Sequence, residues 1–217
     1  MNTRGYVVGD DIVIGGIIRR AFAGFPWYEQ LTEIEVRQRW QKIVSRRGFD
    51  CLVAAIGGKV VGFSCWDTPT IEELASERGP KLAKRFQDTV LSGYLLVWER
   101  ELVVDPDFQR QGIGMKLRQE FLTKMDHEKL SVLVLTRMRE DNLPTIKIAE
   151  RLGFQRTGIL IPSSQKPGVC HEYWLWVSQR KEYDHEQNTI CCLRRHSSVA
   201  AGMGGPEKVC LAGTALL

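Results

Sequence analysis

The residues best suited to chemistry lie in a short loop, Gln109-Arg110-Gln111-Gly112-Ile113-Gly114. An apolar, β-branched run ends just before the loop, and an amphipathic stretch with apolar residues at helical spacing follows it. This order predicts a strand, a tight loop and a helix. Two glycines at a helix start let the backbone approach a ligand closely, and the free N–H groups and the helix dipole there favour an anion. Arg110 and Lys116 add positive charge, so the sequence predicts a phosphate-binding loop.

Two common phosphate-binding patterns do not fit this loop. A P-loop needs Gly-Lys followed by Ser or Thr, whereas Met115 follows Gly114. The dinucleotide-binding fingerprint needs a third glycine at position 117, which is a leucine. Two alternatives stay open for the loop by itself: a glycine-rich turn that starts an ordinary helix, and a nucleotide-phosphate site for another ligand.

A second pattern lies downstream of the loop. A short apolar strand over 132–135 is followed by Asn142 and by a helical pattern that ends at Leu152-Gly153-Phe154, where glycine suits a C-terminal cap. The glycine loop resembles motif A, the acetyl-coenzyme A pyrophosphate loop, of the GNAT family of N-acetyltransferases. Asn142 and the Leu-Gly-Phe helix end resemble the same family's motif B. The resemblance is specific over residues 94–160 and points to small GNAT acetyltransferases of bacterial type.

The resemblance implies an α/β protein of the α+β type, with a mixed, mostly antiparallel central sheet flanked by helices. It also implies acetyl-coenzyme A as cosubstrate. The amides of residues 110–115 would hold the diphosphate, the pantetheine arm would pair with the strand edge at Leu102 and Val104, and the Val104 N–H would donate to the thioester oxygen. Asn142 would reach the cofactor arm, or cap the helix after it. The expected cofactor-binding residues are Leu102, Val103, Val104, Gln109, Arg110, Gln111, Gly112, Ile113, Gly114, Met115 and Asn142.

Acetyl transfer to a primary amine requires a proton acceptor, because an alkylammonium of pKa about 10 is almost fully protonated at neutral pH. Glu101, just before the Leu-x-Val of the central strand, resembles the family's frequent base position, and Glu99 is the second candidate. The two carboxylates share one strand face if no bulge intervenes. The alternative is a structural role for both, in salt bridges with Arg100 or with other Lys and Arg residues.

The chain departs from the family where the leaving thiolate is often protonated. Many members carry a tyrosine five residues before the phenylalanine of Gly-Phe, and Ala149 stands at that position. Tyr173, Tyr94, His171 or water could replace it, since a thiolate of pKa roughly 8.5 is a tolerable leaving group. The expected function is direct transfer from acetyl-coenzyme A to a primary amine. The alternative is a weak or inactive regulatory module that binds acetyl-coenzyme A.

The remaining elements follow from hydrophobic periodicity and caps. Two helices are predicted first, the second with Thr32 as N-cap and Glu35 three residues on. A hairpin turns at Gly57-Gly58. Residues 68–92 carry two short amphipathic pieces that form either a lid over the acceptor or a solvated insertion. The predicted ranges are helices over 10–23 and 32–46, hairpin strands over 51–56 and 60–66, and strands over 94–104, 155–161 and 171–177.

Length and composition indicate one domain over 1–180, followed by a disordered tail over 181–217. The resemblance implies that this domain is an N-acetyltransferase domain. The formal charge of +4 suits an anionic cofactor and does not call for nucleic acid. No apolar run is long enough to span a bilayer, and no secretory leader is present, so a cytoplasmic protein without a membrane partner is expected.

Six cysteines are present, of which Cys51 and Cys65 lie in apolar strands and are predicted to be buried thiols. Cysteine and histidine residues over 185–210 match no zinc spacing, so no metal is expected.

The sequence leaves the acceptor open. A small-molecule amine and a peptide are both compatible, and a homodimer is left open as well. An acidic pocket would favour polyamines, whereas an open groove would favour peptides. Five aromatic residues could line an acceptor pocket, although most such residues belong to a core; they are Phe25, Trp27, Tyr28, Trp66 and Trp98.

Overall fold

A computed structural model describes residues 1–163 and 166–178 of the chain. The tail predicted over 181–217 lies outside these residues, as do its cysteines and histidines. The described residues contain seven strands: β1 (Asn2–Gly5), β2 (Asp50–Ile56), β3 (Lys59–Asp67), β4 (Leu95–Val104), β5 (Val132–Arg139), β6 (Gln155–Pro162) and β7 (Cys170–Val177).

The strands form one sheet in the order β1-β2-β3-β4-β5-β7-β6. All neighbouring strands pair antiparallel except β4 and β5, which are parallel. A parallel pair needs a crossover connection, and a helix after β4 supplies it. The mixed, mostly antiparallel sheet expected from the sequence is confirmed.

In the described part of the chain, six α-helices flank the sheet: α1 (Asp11–Ala23), α2 (Glu33–Val44), α3 (Ile71–Arg78), α4 (Pro80–Leu91), α5 (Ile113–Asp126) and α6 (Leu143–Arg151). The predicted start of α2 is confirmed in detail. The Thr32 hydroxyl accepts from the Glu35 N–H at 3.3 Å, and the Glu35 carboxylate accepts from the Thr32 N–H at 2.8 Å. This reciprocal pair satisfies two N–H groups that a helix start otherwise leaves free.

The β2–β3 hairpin is confirmed as well. Gly57 and Gly58 both adopt positive φ, at 57° and 82°. Such a turn matches the right-handed twist of the flanking strands and favours glycine at both positions.

The helices form one layer on each side of the sheet. The first face is covered by α1 to α4, with Ile18 packed near Phe63 and with Leu74 and Phe86 packed near Trp98. The second face is covered by α5 and α6, which pack against Val97, Val134 and Trp174.

Residues 68–92 therefore are not a solvated insertion. Their two helices, α3 and α4, bury Leu74 and Phe86 completely against the first face. The end of α3 also reaches the central cavity described below, through Glu77 and Arg78.

Cys51 and Cys65 are buried free thiols that face each other across β2 and β3, as the sequence predicted. No helix among residues 1–163 and 166–178 is both long and apolar enough to cross a membrane. In the same part of the chain, no group of three or more His, Cys, Asp or Glu side chains could hold a metal ion.

Candidate active site

A β-bulge in β4 determines where its charged side chains point. Cys65 pairs with Glu101 and the next residue, Trp66, pairs with Glu99, so Arg100 is an extra residue on β4. An extra residue reverses the alternation of faces along a strand. Glu99 therefore points to the second face and Glu101 to the first. The two carboxylates were expected to share a face only without a bulge, and the bulge places them on opposite faces.

The central sheet opens next to this bulge. Pairing between β4 and β5 ends at Glu99 and Thr136, although β4 continues to Val104 and β5 to Arg139. The ends of the two strands therefore leave an unpaired gap in the middle of the sheet. Backbone groups that face such a gap are free to pair with an extended ligand.

The register shows which backbone groups face the gap. The Asp105 N–H donates to the Val61 carbonyl on β3 at 2.9 Å. Because hydrogen-bonding direction alternates along an antiparallel pair, the backbone groups of Leu102 and Val104 point away from β3 and into the gap. The Gln109 side-chain amide donates to the Val104 carbonyl from that side, at 3.0 Å.

The glycine loop lies at the end of β4 and opens α5. A 3₁₀ turn (Pro106–Phe108) leads into it, and Arg110 and Gly112 adopt positive φ, at 62° and 79°. No side chain among the described residues caps α5, whose N-cap is Gly112. The first N–H groups of α5 are thus directed outward without a side-chain acceptor, which is the arrangement that binds anions at helix starts.

A cavity of about 840 Å³ connects this loop with the first face of the sheet. Arg110, Gly112 and Asn142 line it at the loop end, and Trp27 and His171 line it on the first face. Of the residues expected to bind the cofactor, all but Gln111 line the cavity. The cavity therefore passes through the gap between β4 and β5.

Glu101 lies in the cavity wall on the first face. Its carboxylate accepts from Arg39 of α2 at 2.6 Å, and the side chain is 18% exposed. Arg39 also contacts Glu29 at 3.3 Å and lies over the Phe22 ring at 4.2 Å. This packing fixes the Glu101 carboxylate beside the gap while leaving part of it accessible.

Glu99 is in a different environment. Both of its carboxylate oxygens accept from the Arg118 guanidinium of α5, at 2.6 and 3.0 Å, and Ser64 donates to it at 3.3 Å. Each side chain of the Glu99–Arg118 pair is 1% exposed. A fully buried, bidentate pair of this kind ties α5 to the central strand, which leaves Glu99 little freedom to accept a substrate proton.

The other sequence candidates lie in three settings. Asn142 occupies the N-cap position of α6 but makes no capping side-chain bond, and its amide lines the cavity. Ala149 is completely buried in the core between α6 and the second face, and its methyl group supplies no proton for a leaving thiolate. Tyr173 is also completely buried, and burial raises the pKa of its phenol.

His171 lines the cavity from β7, where Trp27 packs against its ring at 6.1 Å. Burial, together with the charges of Arg137 and Arg139, lowers the pKa of His171 to about 4. The imidazole is therefore neutral at pH 7 and is a poor proton donor there.

Of the aromatic residues considered for the acceptor pocket, Phe25, Trp27 and Trp98 line the cavity. Trp66 instead packs against Phe121 under α5, with ring centroids 4.6 Å apart. Tyr28 is 65% exposed at the surface, next to Phe25.

Arginine residues that were not predicted from the sequence as site residues dominate the first-face end of the cavity. They come from α2, the turn after α2, α3, β4 and β5, and are Arg39, Arg46, Arg78, Arg100 and Arg137. A sequence signal existed only at Arg137 and Arg139, which alternate with Thr136 and Met138 and extend β5 beyond its apolar part.

The fold and the cavity define a class of protein: an α+β protein with an uncapped helix start beside a gap in its sheet. A family model described as the acetyltransferase (GNAT) family matches residues 17–154. The chain belongs to this family, and it is an acyltransferase by that membership.

Solved structures share the fold at low sequence identity. A ribosomal-protein-alanine N-acetyltransferase from Brucella melitensis has a TM-score of 0.58 and 16% identity, over 82% of this chain and 99% of the other. A phosphinothricin acetyltransferase from Sinorhizobium meliloti, in complex with acetyl-CoA, has a TM-score of 0.59 and 18% identity, over 87% and 95%. The yncA protein of Salmonella typhimurium, with its cofactor acetyl-CoA, has a TM-score of 0.60 and 15% identity, over 87% and 99%. No curated protein sequence matches the chain.

Proposed function

We propose that this enzyme transfers the acetyl group of acetyl-coenzyme A directly to a primary amine. The single observation that carries the proposal is the cavity, which runs from the open N-terminus of α5 through the β4–β5 gap to Glu101. Two structures of the same fold, from Sinorhizobium meliloti and Salmonella typhimurium, hold acetyl-CoA. Such a cavity lets the cofactor approach from one side of the sheet and the amine from the other.

In this proposal, the loop end binds the cofactor. The N–H groups at the start of α5, the helix dipole and the Arg110 guanidinium attract the diphosphate. The backbone of Leu102 and Val104 pairs with the extended pantetheine arm, and the Asn142 amide, which caps no helix, contacts the same arm. The Val104 N–H donates to the thioester oxygen as that oxygen gains negative charge.

On the first face, Glu101 takes the proton that the amine must lose. The neutral amine nitrogen then forms a bond to the acetyl carbon while the bond from that carbon to sulfur breaks, and the second proton of the nitrogen passes to water. Arg39 keeps the Glu101 carboxylate at the gap through its 2.6 Å contact. The proton moves to the carboxylate oxygen either directly or through one water.

The leaving thiolate takes its proton from water. Ala149 offers no hydroxyl, His171 is neutral at pH 7, and Tyr173 is buried outside the cavity lining. A thiolate with a pKa of roughly 8.5 leaves without a dedicated acid, so the reaction proceeds, but without the extra rate that such an acid supplies.

The test measures binding and turnover in one sample. Calorimetric titration with acetyl-coenzyme A, and separately with ADP, is followed by thiol release against a panel of primary amines. We expect acetyl-coenzyme A to bind far more tightly than ADP, because only the former fills the β4–β5 gap. Thiol release should depend on the amine.

Equal affinity for ADP would indicate a nucleotide-phosphate site instead. Tight binding of acetyl-coenzyme A without release for any amine would favour a regulatory module. The cytoplasmic location and the homodimer stay predictions from the sequence.

A further inference from the structure

Arg137 is the charged residue in the cavity whose role the proposed function does not explain. It lies on β5, one residue beyond the last β4–β5 pair, and its side chain lines the cavity on the first face. It makes no hydrogen bond or ion pair with any residue in 1–163 or 166–178. Burial, followed by the nearby charge of Arg78, lowers the pKa of its guanidinium. An unpaired guanidinium in such a place costs folding free energy unless a ligand compensates it.

The neighbouring arginines are neutralised by carboxylates of the chain itself. Arg39 contacts Glu101 and Glu29, as described above. Arg46 and Arg100 each place a guanidinium nitrogen 2.8 to 2.9 Å from Glu77 Oε2. Arg100 also donates to Asp67 at 2.9 Å.

Arg78 is shared between the weaker 3.5 Å contact with Glu77 and the face of the Trp98 ring, 5.2 Å away. Of these five arginines, four thus contact carboxylates of the described residues, and Arg137 does not.

Other polar atoms near Arg137 are buried and have no hydrogen-bond partner among the described residues. One is Nδ1 of His171, a residue that lines the cavity and is only 8% exposed. Another is the hydroxyl of Tyr173, which is directly opposite Arg137 in the β5–β7 register but lies outside the cavity lining. Buried polar atoms almost always have partners, so Arg137 and the His171 Nδ1 atom together indicate a ligand with polar groups at this wall of the cavity.

We infer that Arg137 binds a carboxylate on the acceptor, and that the acceptor is therefore a small amino acid whose own amine is acetylated. This inference rests on the proposed function and specifies its substrate class. Arg137 and Glu101 lie on the same face on opposite sides of the gap, and the charge of Glu101 acts on Arg137. An amino acid placed between them presents its carboxylate to the guanidinium and its amine to the base.

The same charges exclude other acceptors. A polyamine would bring several positive charges into a cavity end whose carboxylates are already paired with arginines, and would meet the unpaired Arg137 as well. A lysine of a folded protein has no carboxylate at a fixed distance from its amine. Guanidinium and carboxylate form charge-assisted, often bidentate hydrogen bonds, so a free amino acid is the small amine that this site selects.

The experiment compares acceptors that differ only in the carboxylate. The twenty standard L-amino acids are screened by thiol release, and each one that reacts is compared with its carboxamide and its decarboxylated amine. We expect kcat/KM to fall by roughly 10- to 100-fold when the carboxylate is removed. The Arg137→Met variant should lose that preference through a higher KM, with unchanged affinity for acetyl-coenzyme A. Arg37→Met, at an exposed arginine of α2, is the matched control and should keep the preference.

Direct calorimetric binding of the same amino acids, without acetyl-coenzyme A, separates this inference from the proposed function. Amino-acid binding that Arg137→Met abolishes, without any thiol release, would support the carboxylate site and contradict acetyl transfer. Thiol release that is equal for an amino acid and its carboxamide would support acetyl transfer and overturn the carboxylate site. Failure of every amino acid both to bind and to react would also overturn it.

Discussion

Glu99 and Glu101 are the same residue type, two positions apart, yet their environments have little in common. Both residues line the cavity, but Glu99 is 1% exposed and held by Arg118 of α5, whereas Glu101 is 18% exposed and contacts Arg39 on the first face. The difference arises from one extra residue, Arg100, which reverses the face to which each later side chain of β4 points. A carboxylate that is partly accessible can exchange protons with a substrate, whereas a fully buried bidentate ion pair contributes to structure.

Glu101→Gln should reduce kcat/KM for the amine by about 10²- to 10⁴-fold, because glutamine keeps the shape of the side chain but cannot accept the proton. Affinity for acetyl-coenzyme A should be unchanged. Thiol-release kinetics and calorimetry measure the two effects. Glu29→Gln removes a second carboxylate from the same Arg39 and is the matched control, for which we expect a much smaller loss. Equal losses for the two variants would argue against Glu101 as the base.

Glu99→Gln should act on stability. Removal of one partner leaves the Arg118 charge buried without compensation, which costs about 3–5 kcal/mol in the free energy of unfolding. Urea denaturation measures this loss. Glu150→Gln breaks the half-exposed contact between Glu150 and Arg156 and should cost less than about 1 kcal/mol. If Glu99→Gln were as stable as the wild type but lost turnover, Glu99 would again be a candidate for the general base.

At the scale of elements, the glycine loop and α5 act as one unit. The loop orients the first N–H groups of α5, and the helix packs against the sheet. Gly112 begins α5 at a φ of 79°, and the helix then packs Leu117 and Phe121 against the second face. Gly114 follows two residues later, and a Cβ added there would lie 3.5 Å from Ile148 Cδ1 of α6, an ordinary contact distance. The strict requirement for glycine is therefore at Gly112, where the backbone needs positive φ.

Gly112→Ala should weaken acetyl-coenzyme A binding by at least about tenfold, since the strained loop moves its N–H groups away from the diphosphate. Calorimetric titration gives the change in Kd. Gly158→Ala is the matched control: Gly158 has a similar φ of 73° and equally open surroundings, but it lies in β6, away from the cavity lining. Both variants should lose about 1–2 kcal/mol of stability, and only Gly112→Ala should lose affinity. A parallel loss of affinity in both would mean that strain alone explains the effect.

For the molecule as a whole, a split in the middle of the sheet connects its two sides. Helices α1 to α4 cover the first face and α5 and α6 the second, and only the β4–β5 gap lets one cavity reach both. Polar groups buried along that cavity lower the free energy of unfolding. The contribution of one of them, His171, depends on pH.

Unfolding free energy should therefore decrease as pH falls from 6.5 towards 4. The pKa of His171 is about 4 in the folded protein, against 6.5 in the unfolded chain, so below pH 6.5 the unfolded state binds a proton that the folded state does not. Above pH 6.5 this contribution to stability is fully present. At pH 5 the loss should be about 2 kcal/mol.

Urea denaturation at pH 7.5 and pH 5 would measure this loss in the wild-type protein and in His171→Gln, which does not titrate. The comparison removes the part of the pH dependence due to carboxylates. His127→Gln, at an exposed histidine, is the control and should behave as the wild type does. The same pH dependence in the wild type and His171→Gln would contradict the argument.

Features that depend on neighbouring residues could be predicted from residue types alone. The Thr32–Glu35 cap, the Gly57-Gly58 turn, the glycine loop and the period of α6 all act within one or two turns of chain, so their residue types are sufficient to predict them. Two motifs in order were sufficient for the family as well.

The pairing of charges could not be predicted from the sequence. The bulge at Arg100 depends on the register of β4 against β3, and the pairing of Arg39 with Glu101 or Arg118 with Glu99 joins residues that are 62 and 19 positions apart. The unpaired Arg137 is visible only after every carboxylate on its face has been assigned a partner. Such assignments arise from long-range packing, to which no local pattern in the sequence corresponds.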